Sequence, residues 1–136
     1  MTTSLTASEI VCANSADLAS PSGHYSHVCI AGGMVHVSGQ LPVSAAGVPL
    51  VHHSFSDQAK QVLANLDRCL ATAGVSRARL VQVRVYITDM AQWPAFNRIY
   101  AEWIGDHRPA RAVAGVSELH FGLVIEIEAV ALAALA

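Results

Sequence analysis

The chain has 136 residues, a formal net charge of −2 and 13% charged residues, about half of the ~25% usual in soluble domains. That length suits a single domain over residues 1–136 and excludes two ordinary ones. At 53% apolar it is not a disordered chain; its one lysine (Lys60) and seven arginines against ten acids make no basic stripe for nucleic acid; and its longest uncharged apolar run, Ala129 to Ala136, falls well short of the ~18 residues of a membrane span.

Residues 1–22 read as an extended lead-in rich in Ser, Thr and Ala, with one short strand near Glu9 to Ala13. Met1 to Ala19 holds Glu9 and Asp17 and no positive residue, so no secretory or transit signal is expected and a cytoplasmic location is. Val28 to Ile30 and Met34 to Leu41 flank Ala31-Gly32-Gly33 and predict a β-hairpin, since glycine supplies the positive φ of a tight turn. Pro42 to Pro49 is loop. Ser56 is the expected cap of a helix running to about Ala73, with Ala59, Val62, Leu63, Leu66, Cys69, Leu70 and Ala73 on one face. Asp57 suits the positive end of the helix dipole, and Gly74 closes the last turn. Leu80 to Thr88 is the clearest strand, Val81, Val83, Val85 and Ile87 alternating with Gln82, Arg84, Tyr86 and Thr88. A second helix follows Asp89, with Pro94 in its first turn and Phe96, Ile99, Tyr100, Trp103 and Ile104 near its apolar side, and ends at Gly105. Strands at about Arg111 to Val116 and Leu123 to Leu132 complete the chain. The order β-β-α-β-α-β-β predicts an α+β fold, a mixed sheet with two helices packed on one face.

In the last strand Ile125, Ile127, Ala129 and Ala131 form one face, and Val124, Glu126, Glu128 and Val130 the other. Val35 and Val37 point inward; His36 and Ser38 point out. The face away from the helices is thus mixed, with Arg84, Glu126, Glu128 and Arg111 expected on it. Together with the low charge, this predicts a face shared between copies of the chain rather than one wholly in water. Cys12, Cys29 and Cys69 stand far apart and read as free thiols serving as small core residues. His24-x-x-His27 and His52-His53 are the only histidine clusters. With no Cys or carboxylate at ligand spacing, surface or hydrogen-bonded histidines are expected and no metal site.

Five segments occur in order: Gly23-His24-Tyr25-Ser26, Ser38-Gly39-Gln40-Leu41-Pro42, Asn97-x-x-Tyr100, Pro109-Ala110-Arg111 and Ile125-Glu126-Ile127-Glu128-Ala129. In this the chain resembles the reactive intermediate deaminase (RidA/YjgF) family from about Pro21 to Ala131. The resemblance implies a chorismate-mutase-like fold and a homotrimer with a ligand cleft between each pair of subunits. It also implies hydrolysis of enamines and imines such as 2-aminoacrylate to a 2-oxo acid and ammonia, without metal or organic cofactor.

The same resemblance assigns residues. Arg111 matches the arginine that holds the substrate carboxylate, a task suited to a planar guanidinium that can make two parallel bonds. Its alternative is a structural pair with Glu126 or Glu128. Glu126 matches the glutamate that positions water near the imine carbon, with Glu128 as its rival on the same face. Tyr25 matches a tyrosine lining the cleft, or packs as an ordinary aromatic. Ser38 and Gly39 match a Ser-Gly at which substrate approaches the backbone. Asn97 matches a helix asparagine near the site, or is an ordinary exposed residue. The departures are His24 for a proline, Ala112 and Val113 for a serine and a cysteine, and His120 for a proline. They leave carboxylate capture intact and shift side-chain preference toward larger or aromatic imino acids. Two alternatives to the general deaminase stand beside it: a non-catalytic binding module using the same cleft, and a pathway-specific deaminase of the aminomuconate or aminoacrylate type. Nuclease and translation-inhibitor activities also attributed to the family fit poorly with one lysine and a negative net charge.

Overall fold

A computed structural model describes residues 9–134, where the apolar alternation becomes one six-stranded sheet. The elements are β1 (Ile10–Ala13), β2 (Val28–Ala31), β3 (Met34–Gln40), α1 (Phe55–Thr72), β4 (Leu80–Ile87), α2 (Trp93–Ile104), β5 (Ala110–Gly115) and β6 (Ile125–Leu132). The short strand expected in the lead-in is β1; residues 1–8 of that lead-in lie outside the described residues. The sheet order is β1-β2-β3-β6-β4-β5, antiparallel except for the parallel pair β4–β5. The last strand in sequence is therefore internal to the sheet, between β3 and β4.

Apolar positions on one face of the strands meet the apolar stripe of α1. Val35, Val37, Val83, Val85, Ile125 and Ile127 are buried against Val62, Leu63, Leu66 and Leu70. The two helices are tied by one polar cluster. Arg77, between α1 and β4, makes a two-pronged pair with Asp67 of α1 at 2.7 and 3.2 Å. The same carboxylate accepts the indole N–H of Trp103 in α2 at 2.9 Å, and the guanidinium lies 4.7 Å from the Trp103 ring centre. Buried Gln58 accepts the backbone N–H of Val124 and donates to the carbonyl of His53, joining the start of α1 to the lead into β6. The open face of the sheet carries His36 and Ser38 of β3, Arg84 and Tyr86 of β4, and Glu126 and Glu128 of β6, as the alternation predicts.

Four expectations are corrected. Ser54, not Ser56, caps α1: its side chain accepts the N–H of Asp57 at 3.1 Å, and Ser56 lies inside the first turn. Val81 is exposed because the β4–β6 pairing shifts register between Leu80 and Gln82, so Leu80 takes the inward position. Arg111 does not share the open face. It pairs in register with Val83, a core residue, and so points to the helix side of the sheet. Of the cysteines, only Cys69 is buried; Cys29 is half-exposed and Cys12 exposed, although all three are free thiols as expected.

Candidate active site

The pairing of β3 with β6 slips between Val37 and Gln40, so that Ser38 and Gly39 together span the place opposite Glu128. Such a bulge bends a strand and re-aims what stands on it. The Ser38 hydroxyl is spent locally, donating to the carbonyl of Ser26 at 2.6 Å. Gly39 faces the Glu126 side chain. A Cβ at position 39 would stand 3.1 Å from the Glu126 Cδ and closer still to its carboxylate oxygen Oε2. Glycine thus leaves this space to the carboxylate, and its backbone angles are not in the left-handed region.

The two glutamates of β6 differ in what holds them. Glu128 accepts the Tyr86 hydroxyl at 2.6 Å and lies 3.9 Å from Arg84. That bond, made to the ionised carboxylate, raises the Tyr86 hydroxyl above its ordinary value. Glu126 has no hydrogen bond or ion pair among the described residues. Burial, with a smaller contribution from Glu128, pushes its carboxyl above the ordinary carboxylate range; His120 pulls the other way. A half-buried, unpartnered carboxylate that titrates high is the type suited to take and return a proton.

Gly39 also borders a cavity of about 180 Å³, with Tyr25 in its wall and Leu41, Val43 and Phe121 among its apolar lining; Glu126 is not part of that lining. Tyr25 is 47% exposed and Phe121 55% exposed, two large rings left in water at its rim. Phe121 has φ +63°, the only non-glycine residue with a positive φ among those described. A bulky residue held there stores strain of order 1–2 kcal/mol, and such outliers gather at sites of function. The His120 ring lies 6.0 Å from that of Phe121. His120 was legible in the sequence as a departure from the family pattern; Phe121 left no such signal.

Arg111 belongs to a different surface. Its guanidinium lies 4.9 Å from the ring centre of Tyr100 and 5.8 Å from those of Trp93 and Phe96, all on α2. These aromatic faces hold the cation without neutralising it, and among the described residues no carboxylate lies within ion-pair distance of it. The alternative reading of Arg111 as a partner of Glu126 or Glu128 within the chain is therefore set aside. The Tyr100 hydroxyl, buried beside it, has no hydrogen-bond partner among the described residues. Asn97 is half-buried on the same helix, next to Phe96.

The candidate residues thus fall into two groups. Tyr25 and Gly39 line the cavity, and Glu126 stands on the open face against Gly39, with Ser38 bracing the bulge. Arg111 and Asn97 stand with the α2 aromatics at the β5 edge. His27 is a structural residue: buried, its Nδ1 accepts the Ser15 N–H at 3.0 Å, and burial lowers its pKa. Among the described residues no three His, Cys, Asp or Glu side chains converge as metal ligands, and no helix is long and apolar enough to cross a membrane.

The chain as a whole is similar to known proteins. The sequence profile of the family described as Endoribonuclease L-PSP matches residues 16–133. A RutC family protein of Pyrococcus horikoshii is 38% identical over 111 residues, 82% of this chain and 88% of its own. The yeast protein MMF1, named as mitochondrial, is 36% identical over 79% of this chain and 73% of its own. Among solved structures, RidA from an Antarctic Psychrobacter superposes with a TM-score of 0.81 at 30% identity, covering 85% of this chain and 94% of that one. E. coli TdcF with bound serine superposes with a TM-score of 0.84 at 28% identity, covering 91% of this chain and 99% of that one. The chain belongs to the L-PSP family, which includes the RutC and Rid proteins, and it has that family's chorismate-mutase-like fold.

Proposed function

From that membership and from the two groups of residues, we propose that the chain hydrolyses 2-imino and 2-enamino acids to 2-oxo acids and ammonia. The site is shared between copies of the chain in a cyclic homotrimer. One observation carries this reading. Arg111 and Glu126 are both charged groups left without a partner, and they lie on opposite sides of one sheet. A single chain cannot bring both to one small molecule; a second copy that lays its β5 edge against the open face can. The serine bound in TdcF supports a small carboxylate ligand for this chain too.

The roles follow from the chemistry. Arg111, held flat by Tyr100, Trp93 and Phe96, takes the substrate carboxylate in two parallel bonds. Water beside the ionised Glu126 gives it a proton and adds to the iminium carbon. The protonated carboxyl returns the proton to nitrogen, the C–N bond breaks, and ammonia leaves as the carbonyl forms, the hydroxyl proton passing to solvent. Asn97 and Tyr25 line the two sides of the same cleft. No metal or organic cofactor enters these steps. The endoribonuclease name of the family is not carried over, because one lysine and seven scattered arginines against ten acids make no basic stripe for a phosphate chain.

The test is ammonia release from imines generated by an amino-acid oxidase, with the mass in solution measured by light scattering. Catalysed release by a particle of three chains is expected. Binding of carboxylate ligands without release indicates a non-catalytic module instead, and an active monomer overturns the shared site.

A further inference from the structure

The register of β1 with β2 sets Cys12 directly opposite Cys29. Their sulfur atoms are 2.8 Å apart, closer than ordinary van der Waals contact between two sulfurs. Both are free thiols, Cys12 exposed and Cys29 half-exposed. Cys69 provides the contrast: sealed in the core, its thiol is pushed up to about 12 by burial and is inert. The two facing cysteines are 17 positions apart in sequence, and the segment between them carries Tyr25 and the stretch from Leu18 to Ser22 that walls the cavity.

We propose that Cys12 and Cys29 form a dithiol site that a hydroperoxide oxidises to a cross-strand disulfide. The Cys12 thiolate, the more exposed of the two, attacks the peroxide. The O–O bond breaks, the alcohol or water leaves, and Cys12 becomes a sulfenic acid. Cys29 then attacks that sulfur, the S–O bond breaks and water leaves. Two thiols and one hydroperoxide thus give one disulfide, one alcohol (or water) and one water. Small thiols reverse the change by exchange, so in a reducing compartment the dithiol is the resting form. With Cys29 as the donor, its hydrogen bond to the Cys12 sulfur raises the Cys29 thiol above its ordinary value, so that Cys29 stays protonated while Cys12 meets the oxidant. The product pins the edge strand β1 to β2 and closes the loop that carries Tyr25.

The full chain, reduced and then exposed to hydrogen peroxide, is assayed for thiols after denaturation and mapped by mass spectrometry. Free thiols should fall from three to one, with a monomer mass lighter by two hydrogens and a Cys12–Cys29 peptide pair. Dithiothreitol should restore three. Cys69→Ser should lose both of its remaining thiols in the same way, and oxidised wild type should melt above reduced wild type while Cys12→Ser shows no such rise. Three persisting thiols, over-oxidation of Cys12 with Cys29 untouched, or disulfides between chains would each overturn the proposal.

Discussion

The Glu126 carboxylate fills the volume that a side chain on Gly39 would need. Because the obstructing atoms end a flexible side chain, Gly39→Ala displaces the carboxylate and not the strand. The melting temperature should change little, while kcat for imine hydrolysis falls on the order of 10²-fold, the usual effect of about 1 Å of misplacement. A folded protein with full activity would refute the role of this contact.

Arg111 is held by aromatic faces, so its planarity matters as well as its charge. Arg111→Lys keeps the charge and loses both the stacking and the paired donors. The rate should drop roughly 10²-fold through misorientation. Arg111→Ala removes a charge-assisted bond contributing about 1.5–3 kcal/mol and should be at least as damaging. Both variants should keep the wild-type mass by light scattering. Unchanged rates refute the assignment, and dissociation in both makes Arg111 a structural residue.

A site built from two chains can be reassembled from two inactive variants. Arg111→Ala and Glu126→Gln subunits, inactive alone, should regain activity when refolded together. With random mixing in a cyclic trimer, about a quarter of all sites combine an intact arginine with an intact glutamate. Recovery near that fraction of the wild-type rate is expected, and no recovery despite proven mixing would place both residues in one chain's site.

How far the sequence carried the reading can be told from single residues. The alternation Ile125-Glu126-Ile127-Glu128 fixes which face each side chain takes, and β6 follows it. Arg111 lies on the opposite face from the one its sequence predicts, because Ala110, Ala112 and Ala114 beside it carry no alternation to read. Its direction is set by parallel pairing with β4, and its holders lie on α2. Ser54 and Ser56 are equivalent as caps on paper, and only the bond to the Asp57 N–H separates them. The nearness of Cys12 and Cys29 depends on strand register, which spacing along the chain does not reveal.

The raised Glu126 carboxyl has two consequences of known sign. Hydrolysis needs the ionised form, so the acid limb of kcat/KM should lie above the ordinary carboxylate range, and activity should fall as pH drops through it. Stability runs the other way. The folded state holds this proton more tightly than the unfolded one, so the stability it contributes is full below the unfolded value and lost as pH rises through the folded one. Glu126→Gln should therefore be inactive yet at least as stable as wild type at neutral pH. Glu128→Gln, which weakens the Tyr86 bond, should keep its rate and lose about 1 kcal/mol in chemical denaturation. The reverse pattern would exchange the two roles.

Phe121 joins strain to an exposed ring at the cavity rim. Phe121→Gly relieves the strain, so the melting temperature should hold or rise despite the lost aromatic. If the ring packs against an aromatic substrate side chain, kcat/KM for the imine of phenylalanine should fall about tenfold, the size of one aromatic contact. The imine of alanine should be hydrolysed at the wild-type rate. Equal losses for both substrates would deny Phe121 a part in selectivity.

The placement of β6 between β3 and β4 bears on how the protein is made. Until β6 leaves the ribosome, β1-β2-β3 and β4-β5 are two partial sheets, each with an unsatisfied edge at β3 or β4. Neither can close, because the strand that joins them follows the other five in the chain. The sheet is thus completed only once β6 has been made, and a chain truncated before Ile125 presents two sticky edges and neither Glu126 nor Glu128 on its open face. The same eight residues complete the sheet and carry the glutamate proposed to move the proton: a chain that has not inserted them is both aggregation-prone and without that carboxylate.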